Sequence, residues 1–140
     1  IKMIFGRRLK NDFTQGYKLV SIGTESLKGE TKLDAVPVLK DGEEPIKGEE
    51  MIKRALKLGV INQYDAEDLA DYLNSEEGKE ASEELRGKYY PTTTVYESKS
   101  DPRDRCVACL FFDSRRWIVN LRWLGNVYGS AARLLVPCKP

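Results

Sequence analysis

Histidine is absent from the 140 residues of this chain. Its absence removes the commonest general base, the Ser-His and Cys-His nucleophile pairs and most transition-metal sites. Adjacent carboxylates such as Glu49 and Glu50 fall on a predicted helix about 100° apart, so we expect solvated side chains rather than an acid–base pair. No glycine-rich phosphate loop follows a predicted strand. The sequence therefore predicts a protein that is not an enzyme and has no cofactor.

Long apolar runs and an excess of one charge sign are also missing. No stretch approaches the roughly 18 apolar residues of a membrane span, and no signal peptide opens the chain. The 23 basic residues are balanced by 22 acidic residues, which argues against a globally basic nucleic-acid binder. A chain of 140 residues is long enough to bury an ordinary core. We expect one water-soluble domain over residues 1–140, without a membrane span.

Cysteine is scarce, with three residues at Cys106, Cys109 and Cys138. Cys106 and Cys109 lie in an apolar run that predicts a strand, where positions three apart face opposite sides. Three thiolates without histidine close a tetrahedral zinc site only if an aspartate or water completes it. We therefore expect no metal site, and either buried free thiols or one disulfide to Cys138.

The first hundred residues are expected to form a scaffold that contains the helices. Apolar periodicity, acids in the first turn and a glycine at position 59 predict a helix near 48–58. A second helix is expected near 66–73 with Asp65 as its N-cap, and a polar, solvated one near 76–86. Three short strands are expected before them, at 3–5, 17–22 and 33–39.

From Tyr89 onward, aromatic and β-branched residues predict strands instead of helices. These strands are expected at 89–96, 105–112, 116–124 and 133–137. Short links between them indicate an antiparallel sheet packed against the helices. The predicted fold class is α+β, with two to three helices on a small antiparallel sheet and a β-rich segment at 101–140.

Lysine and glutamate are missing from residues 100–138, although six arginines and three aspartates remain there. At the frequency of the whole chain, about seven lysines or glutamates would be expected in this segment. A central sheet that excludes flexible charged side chains is one explanation. The other is restricted coding: a codon with two adenines followed by a pyrimidine, when its adenines are replaced by any base, never encodes Lys, Glu, Gln, Met or Trp. Within residues 111–135, only Trp117 and Trp123 fall outside the allowed set.

Residues 105–138 resemble the C-terminal variable regions of proteins diversified by diversity-generating retroelements, which occur in phages, archaeal viruses, bacteria and archaea. The Gly-Phe-Arg ending common in that family is absent here. The resemblance implies a C-type-lectin-like fold, variable residues on a solvent-facing part of the sheet, and a place on a virion or cell surface. The residues that carry it are Arg116, Trp117, Trp123, Leu124, Asn126, Tyr128, Ser130 and Arg133 to Val136.

The tryptophan spacing assigns the two sides of the strand at 116–124. Trp117, Val119, Leu121 and Trp123 share one side, which we expect to pack inward. The alternating residues, the preceding turn and the following loop are then free to form one binding patch rich in residue types that binding surfaces favour. The predicted ligand-binding residues are Asp113, Ser114, Arg115, Ile118, Asn120, Arg122, Asn126, Val127, Tyr128 and Ser130.

We expect this patch to bind a protein or glycan ligand without chemistry. A small viral or mobile-element protein that docks on a host protein is an alternative. A nucleic-acid-binding module is a weaker one, because arginines and aromatic residues could contact nucleic acid but lysine is missing. If both sides of the sheet are covered instead, Arg122 and Arg133 would pair with Asp113 or Asp104.

Overall fold

The computed structural model describes residues 1–5 and 15–138 of the chain. It confirms an α+β fold in which antiparallel pairing dominates the sheets. None of the helices in these ranges is long and apolar enough to cross a membrane. The elements, in chain order, are β1 Lys2–Phe5, β2 Tyr17–Ser21, β3 Gly29–Pro37, β4 Ile46–Lys47, α1 Gly48–Leu58, α2 Gln63–Leu73, α3 Lys79–Leu85, β5 Tyr89–Ser98, β6 Arg105–Asp113, β7 Arg116–Trp123, β8 Val127–Tyr128 and β9 Arg133–Pro137.

The strands form three sheets with the orders β2-β5-β6-β7, β1-β3-β9 and β4-β8. The expectation that the last four predicted strands form one sheet is therefore wrong for β9, which pairs with β3. Leu134 and Leu135 explain its position, because these adjacent residues point to opposite sides and both are fully buried, in two different core clusters. A strand that is buried on both sides lies between two layers of core, and the position next to β7 at the edge of the β2-β5-β6-β7 sheet does not offer that.

The helix α1 forms as its sequence predicts. Its apolar stripe of Met51, Ile52 and Ala55 is buried. Gly59 follows in the left-handed conformation, with φ of 74°, and its N–H bonds to the Leu56 carbonyl. The helix therefore ends where a residue without a Cβ makes the turn least costly.

The helix α2 begins earlier than predicted, and Asp65 is not its N-cap. The cap is Asn62, whose Oδ1 accepts the Asp65 N–H at 3.0 Å. The Asp65 carboxylate accepts the N–H of Leu27 instead, at 3.0 and 3.2 Å. The helix α3 spans only Lys79–Leu85, and it is not fully solvated because Ser82 and Leu85 are buried.

The described residues form two core clusters. The first, here the α2 core, contains Leu69 and Leu73 of α2 together with Leu110 and Trp117 of the sheet. The second contains Met51 and Ala55 of α1 with residues of β6, β8 and β9. The strand β7 is one of the two edge strands of the β2-β5-β6-β7 sheet, and one of its sides lies against the α2 core.

Threonine hydroxyls tie the start of α2 to β5. The pairing of β5 with β6 shifts register between Pro91 and Val95, and the threonines of this irregularity are buried. Thr94 accepts the Gln63 N–H at 2.8 Å, and Thr92 donates to the Ala108 carbonyl at 2.8 Å. Both bonds satisfy buried polar groups; the first holds the start of α2 against β5, and the second joins β5 to β6.

Candidate ligand-binding surface

The hairpin of β6 and β7 determines which residues face the same way. Its antiparallel register runs from the pair of Asp113 and Arg116 to the pair of Cys106 and Trp123 without interruption. Directly paired residues lie on one side of a sheet. Ile118, Asn120 and Arg122 therefore share the side that also carries their β6 partners Phe111, Cys109 and Val107.

The other side of β7 packs on the α2 core, but only over part of its length. Trp117 is 2% exposed and Val119 is 3% exposed, whereas Leu121 is half-buried. Trp123 is 53% exposed, so the prediction that it packs inward is wrong. The α2 core includes Trp117 and Val119 and does not reach Trp123, whose indole lies against Gly125 instead. Strand alternation gives the direction of a side chain but not whether another element covers it.

Asn74, directly after α2, holds the beginning of β7. Its Oδ1 accepts the Trp117 N–H at 2.7 Å, and its Nδ2 donates to the Trp117 carbonyl at 2.9 Å. The Trp117 indole donates to Ser82 Oγ at 2.8 Å. The asparagine thus takes the place of a neighbouring strand at this point of the sheet edge.

The same geometry gives the direction of the remaining edge groups of β7. The N–H and C=O groups of Trp117 point away from β6. Because the register is uninterrupted, the N–H and C=O groups of Val119, Leu121 and Trp123 point away from β6 too. The Leu121 N–H is accepted by Asn120 Oδ1 at 2.7 Å. Asn120 therefore protects part of the edge with its own side chain.

Tyr128 is fully buried, so the prediction that it lies on an accessible surface is wrong. The reason is nonlocal, because β8 pairs with β4 and sets Tyr128 opposite Ile46. The Tyr128 hydroxyl donates to the Trp123 carbonyl at 3.0 Å, and burial raises the pKa of this hydroxyl above its ordinary value. Tyr128 is a support beneath the surface rather than a contact on it.

Arg122 lies on two aromatic rings. Its guanidinium carbon is 4.3 Å from the ring centre of Tyr89 and 5.1 Å from that of Tyr128. Its Nε is buried without a hydrogen-bond partner, and the described residues offer its guanidinium no ion pair. Aromatic faces attract a cation without neutralising it. The structure therefore presents a positioned, half-buried cation with no carboxylate partner in residues 1–5 and 15–138.

The alternative pairing of Arg122 and Arg133 with Asp113 or Asp104 is wrong. Arg133 Nη1 donates to the carbonyls of Ala132, at 3.1 Å, and Ser130. Asp104 accepts the Tyr17 hydroxyl at 3.3 Å. The arginine at the start of β9 is used to hold the preceding loop.

The loop before β9 returns along the side of the sheet that carries Arg122. The Tyr89 N–H donates to the Ala131 carbonyl at 3.0 Å, and Tyr89 also forms a parallel bridge with Ala132. This places the exposed Ser130 and Ala131 beside Tyr89. We call the resulting surface the open face, and define it as Ile118, Asn120 and Arg122 of β7, the half-buried Tyr89 and Phe111, and Ser130.

The other predicted site residues do not join the open face. Asp113, Ser114 and Arg115 are exposed in the turn at one end of β7, where Ser114 has a φ of 52°. Asn126 and Val127 are exposed beyond its other end, where Val127 pairs with Lys47. The eight residues of β7 separate the two groups by roughly 25 Å. The single predicted patch is therefore three separate places.

The cysteines are free thiols. Cys109, the cross-strand partner of Asn120, is buried beneath the open face, and burial raises the pKa of its thiol to about 12. At neutral pH the thiol is therefore protonated and a poor nucleophile. Residues 1–5 and 15–138 contain no group of three or more side chains suited to hold a metal ion.

No protein-family model, curated protein or solved structure matches this chain.

Proposed function

We propose that this protein binds a protein or glycan ligand without chemistry and that the open face is its recognition surface. The observation that carries the proposal is the guanidinium of Arg122, held on Tyr89 and Tyr128 without a carboxylate partner among the described residues. Arginine and tyrosine are the residues that most often dominate binding energy at interfaces. A cation that is already positioned loses less conformational entropy when a ligand binds.

The neighbours of Arg122 suit a ligand with both polar and apolar groups. Asn120 is exposed and offers amide hydrogen bonds, while Ile118 and Phe111 are half-buried and offer apolar area. An acidic or carboxylate-bearing group of the ligand would pair with Arg122 through two parallel hydrogen bonds. The open face is a sheet surface, so it suits a broad partner more than a small enclosed one.

We further propose that the open face belongs to a diversified, C-type-lectin-like display protein of a retroelement, carried on a virion or cell surface. The alternation on β7 supports this, because Ile118 and Asn120 are not packed in the α2 core while Trp117 and Val119 are. The absence of lysine and glutamate from residues 100–138 is consistent with restricted coding. Tyr128 would then be held constant, because it is buried.

Binding can be tested on arrays of purified proteins and glycans with two matched asparagine variants. Asn120→Ala changes the open face, whereas Asn126→Ala removes another exposed amide beyond the far end of β7. We expect several-fold weaker binding for Asn120→Ala, about tenfold or more for Arg122→Gln, and no change for Asn126→Ala. Equal affinity of all variants for a ligand of the wild type would place recognition elsewhere. Retention on heparin with a steep salt dependence would indicate nucleic-acid binding instead.

The retroelement proposal is tested by the gene. We expect a near-identical downstream repeat that differs only at adenines, beside a reverse transcriptase gene. Sister copies should vary at the codons of Ile118, Asn120 and Arg122 and keep Trp117. Sister copies with lysine and glutamate at the varying positions, and no such repeat, would contradict it.

A further inference from the structure

A second candidate site lies at the turn end of β7, beside the helices α2 and α3. A cavity of about 450 Å³ lies between the junction of α2 with α3 and the turn that joins β6 to β7. Its volume is within the range of small-molecule sites. Four cationic side chains line it, those of Lys79, Arg86, Arg115 and Arg116, against two carboxylates, those of Asp71 and Glu76. We call it the basic cavity.

The walls of the basic cavity are fixed by hydrogen bonds to Trp117. Asn74 is bound through both its amide groups to the Trp117 backbone, and Ser82 Oγ accepts the Trp117 indole N–H. The rings of Phe112 and Trp117 meet edge to face, with centres 5.7 Å apart. Because these groups already have partners, they shape the cavity and leave binding to the cationic side chains.

Arg86 is the best positioned of the four cations. Its guanidinium carbon lies 4.2 Å from the centre of the Phe112 ring, and its Nη2 donates to Ser82 Oγ at 3.3 Å. One guanidinium has five N–H donors, so this single bond leaves most of them available. A guanidinium held on an aromatic ring and bonded to a hydroxyl is already positioned for an oxyanion.

The other three cations are exposed. Within the described part of the chain, the side chains of Lys79, Arg115 and Arg116 form no ion pair and no hydrogen bond, although Asp71 and Glu76 line the same cavity. Arg115 and Arg116 sit in and directly after a tight turn in which the Arg115 N–H bonds to the Asp113 carbonyl. A short turn between two paired strands gives these side chains a defined origin.

We propose that the basic cavity binds a compact tetrahedral oxyanion, of the kind found in phosphate or sulfate monoesters. The cavity is lined by two more cationic than anionic side chains, and two guanidinium groups match the oxygens of a tetrahedral anion. The two carboxylates oppose a long polyanion such as nucleic acid. The two carboxylates favour a small ester whose hydroxyl groups can donate hydrogen bonds to them. The site is separate from the open face and does not depend on its function.

Isothermal titration calorimetry of the full chain with inorganic phosphate, sulfate, acetate and chloride at equal ionic strength tests the proposal. We expect saturable binding of phosphate, sulfate or both, and none of chloride or acetate. Binding of phosphate but not of sulfate would indicate that the ligand is a phosphate ester. Binding of sulfate, with or without phosphate, would indicate that sulfate esters are ligands as well. Acetate binding as tight as that of phosphate, or no binding beyond chloride, would overturn the proposal.

The Arg115→Ala/Arg116→Ala double variant identifies the site. Both side chains are exposed, so the fold should be retained. We expect phosphate or sulfate to bind at least about tenfold more weakly than to the wild type. The matched control is Lys18→Ala/Arg103→Ala, which removes the same charge from exposed side chains outside the cavity. Wild-type affinity in the first variant, or an equal loss in the control, would show that the anion does not bind in the basic cavity.

Discussion

The two sides of β7 differ more than their shared sequence suggests. On the side that faces α2, Trp117 is packed in the core and bonded to Ser82, with its backbone held by Asn74. On the other side, Ile118 is half-buried and Asn120 is exposed. Residues that maintain the fold therefore alternate with residues available to a ligand. A substitution on the Trp117 side of β7 should lower stability, and a substitution on the Ile118 side should weaken ligand binding.

The largest effect is expected for Trp117→Ala. It leaves a large cavity in the α2 core and removes the indole N–H that Ser82 accepts, so we expect a loss of about 3–5 kcal/mol in the free energy of unfolding. Trp117→Phe, which keeps an aromatic ring, should lose less. Urea denaturation followed by circular dichroism measures both. A loss below about 1 kcal/mol for Trp117→Ala would mean that this side is not the anchored one.

Tyr128 sharpens the comparison, because it supports Arg122 from within the core. Tyr128→Ala should cost about 3 kcal/mol or more, since the buried ring packs in the second core cluster. Tyr128→Phe loses only the hydrogen bond to the Trp123 carbonyl and should cost about 1 kcal/mol. The measurement is again urea denaturation. If Tyr128→Ala unfolds with the same free energy as the wild type, Tyr128 is not part of the core and would be an exposed contact residue.

A smaller effect is expected for Asn74→Ala, which removes both partners of the Trp117 backbone. We expect a loss of about 1–2 kcal/mol and more self-association, because an unpaired edge strand is a template for another strand. Denaturation and analytical ultracentrifugation at several concentrations measure the two effects. Asn126→Ala is the control, and equal behaviour of the two variants would exclude an edge-protecting role for Asn74.

The sequence predicts well where the signal is local. The end of α1 at Gly59 was predictable because a glycine directly after the last apolar residue of a helical pattern is the usual left-handed cap. The α+β class and the alternation of Trp117 with Ile118 follow equally from local patterns. Phe111 was predictable as well, because a two-residue turn at Ser114 and Arg115 places it opposite Ile118.

The rest depends on contacts between distant segments. Nothing near Tyr128 indicates that β4 covers it, and nothing near Trp123 indicates that the α2 core stops short of it. The pairing of β9 with β3 joins strands about a hundred residues apart, and strand patterns do not specify a partner at that range. Asn74 likewise reads as an ordinary residue after a helix, although it holds the edge of β7.

The most direct test of the difference between the two sides of β7 is a saturation library of Trp117, Ile118, Val119 and Asn120, scored for folding by resistance to proteolysis. Most substitutions at Ile118 and Asn120 should stay within about 1 kcal/mol of wild type, whereas polar substitutions at Trp117 and Val119 should abolish protection. Equal intolerance at all four positions would contradict a β7 that folds with one side and leaves the other free to bind.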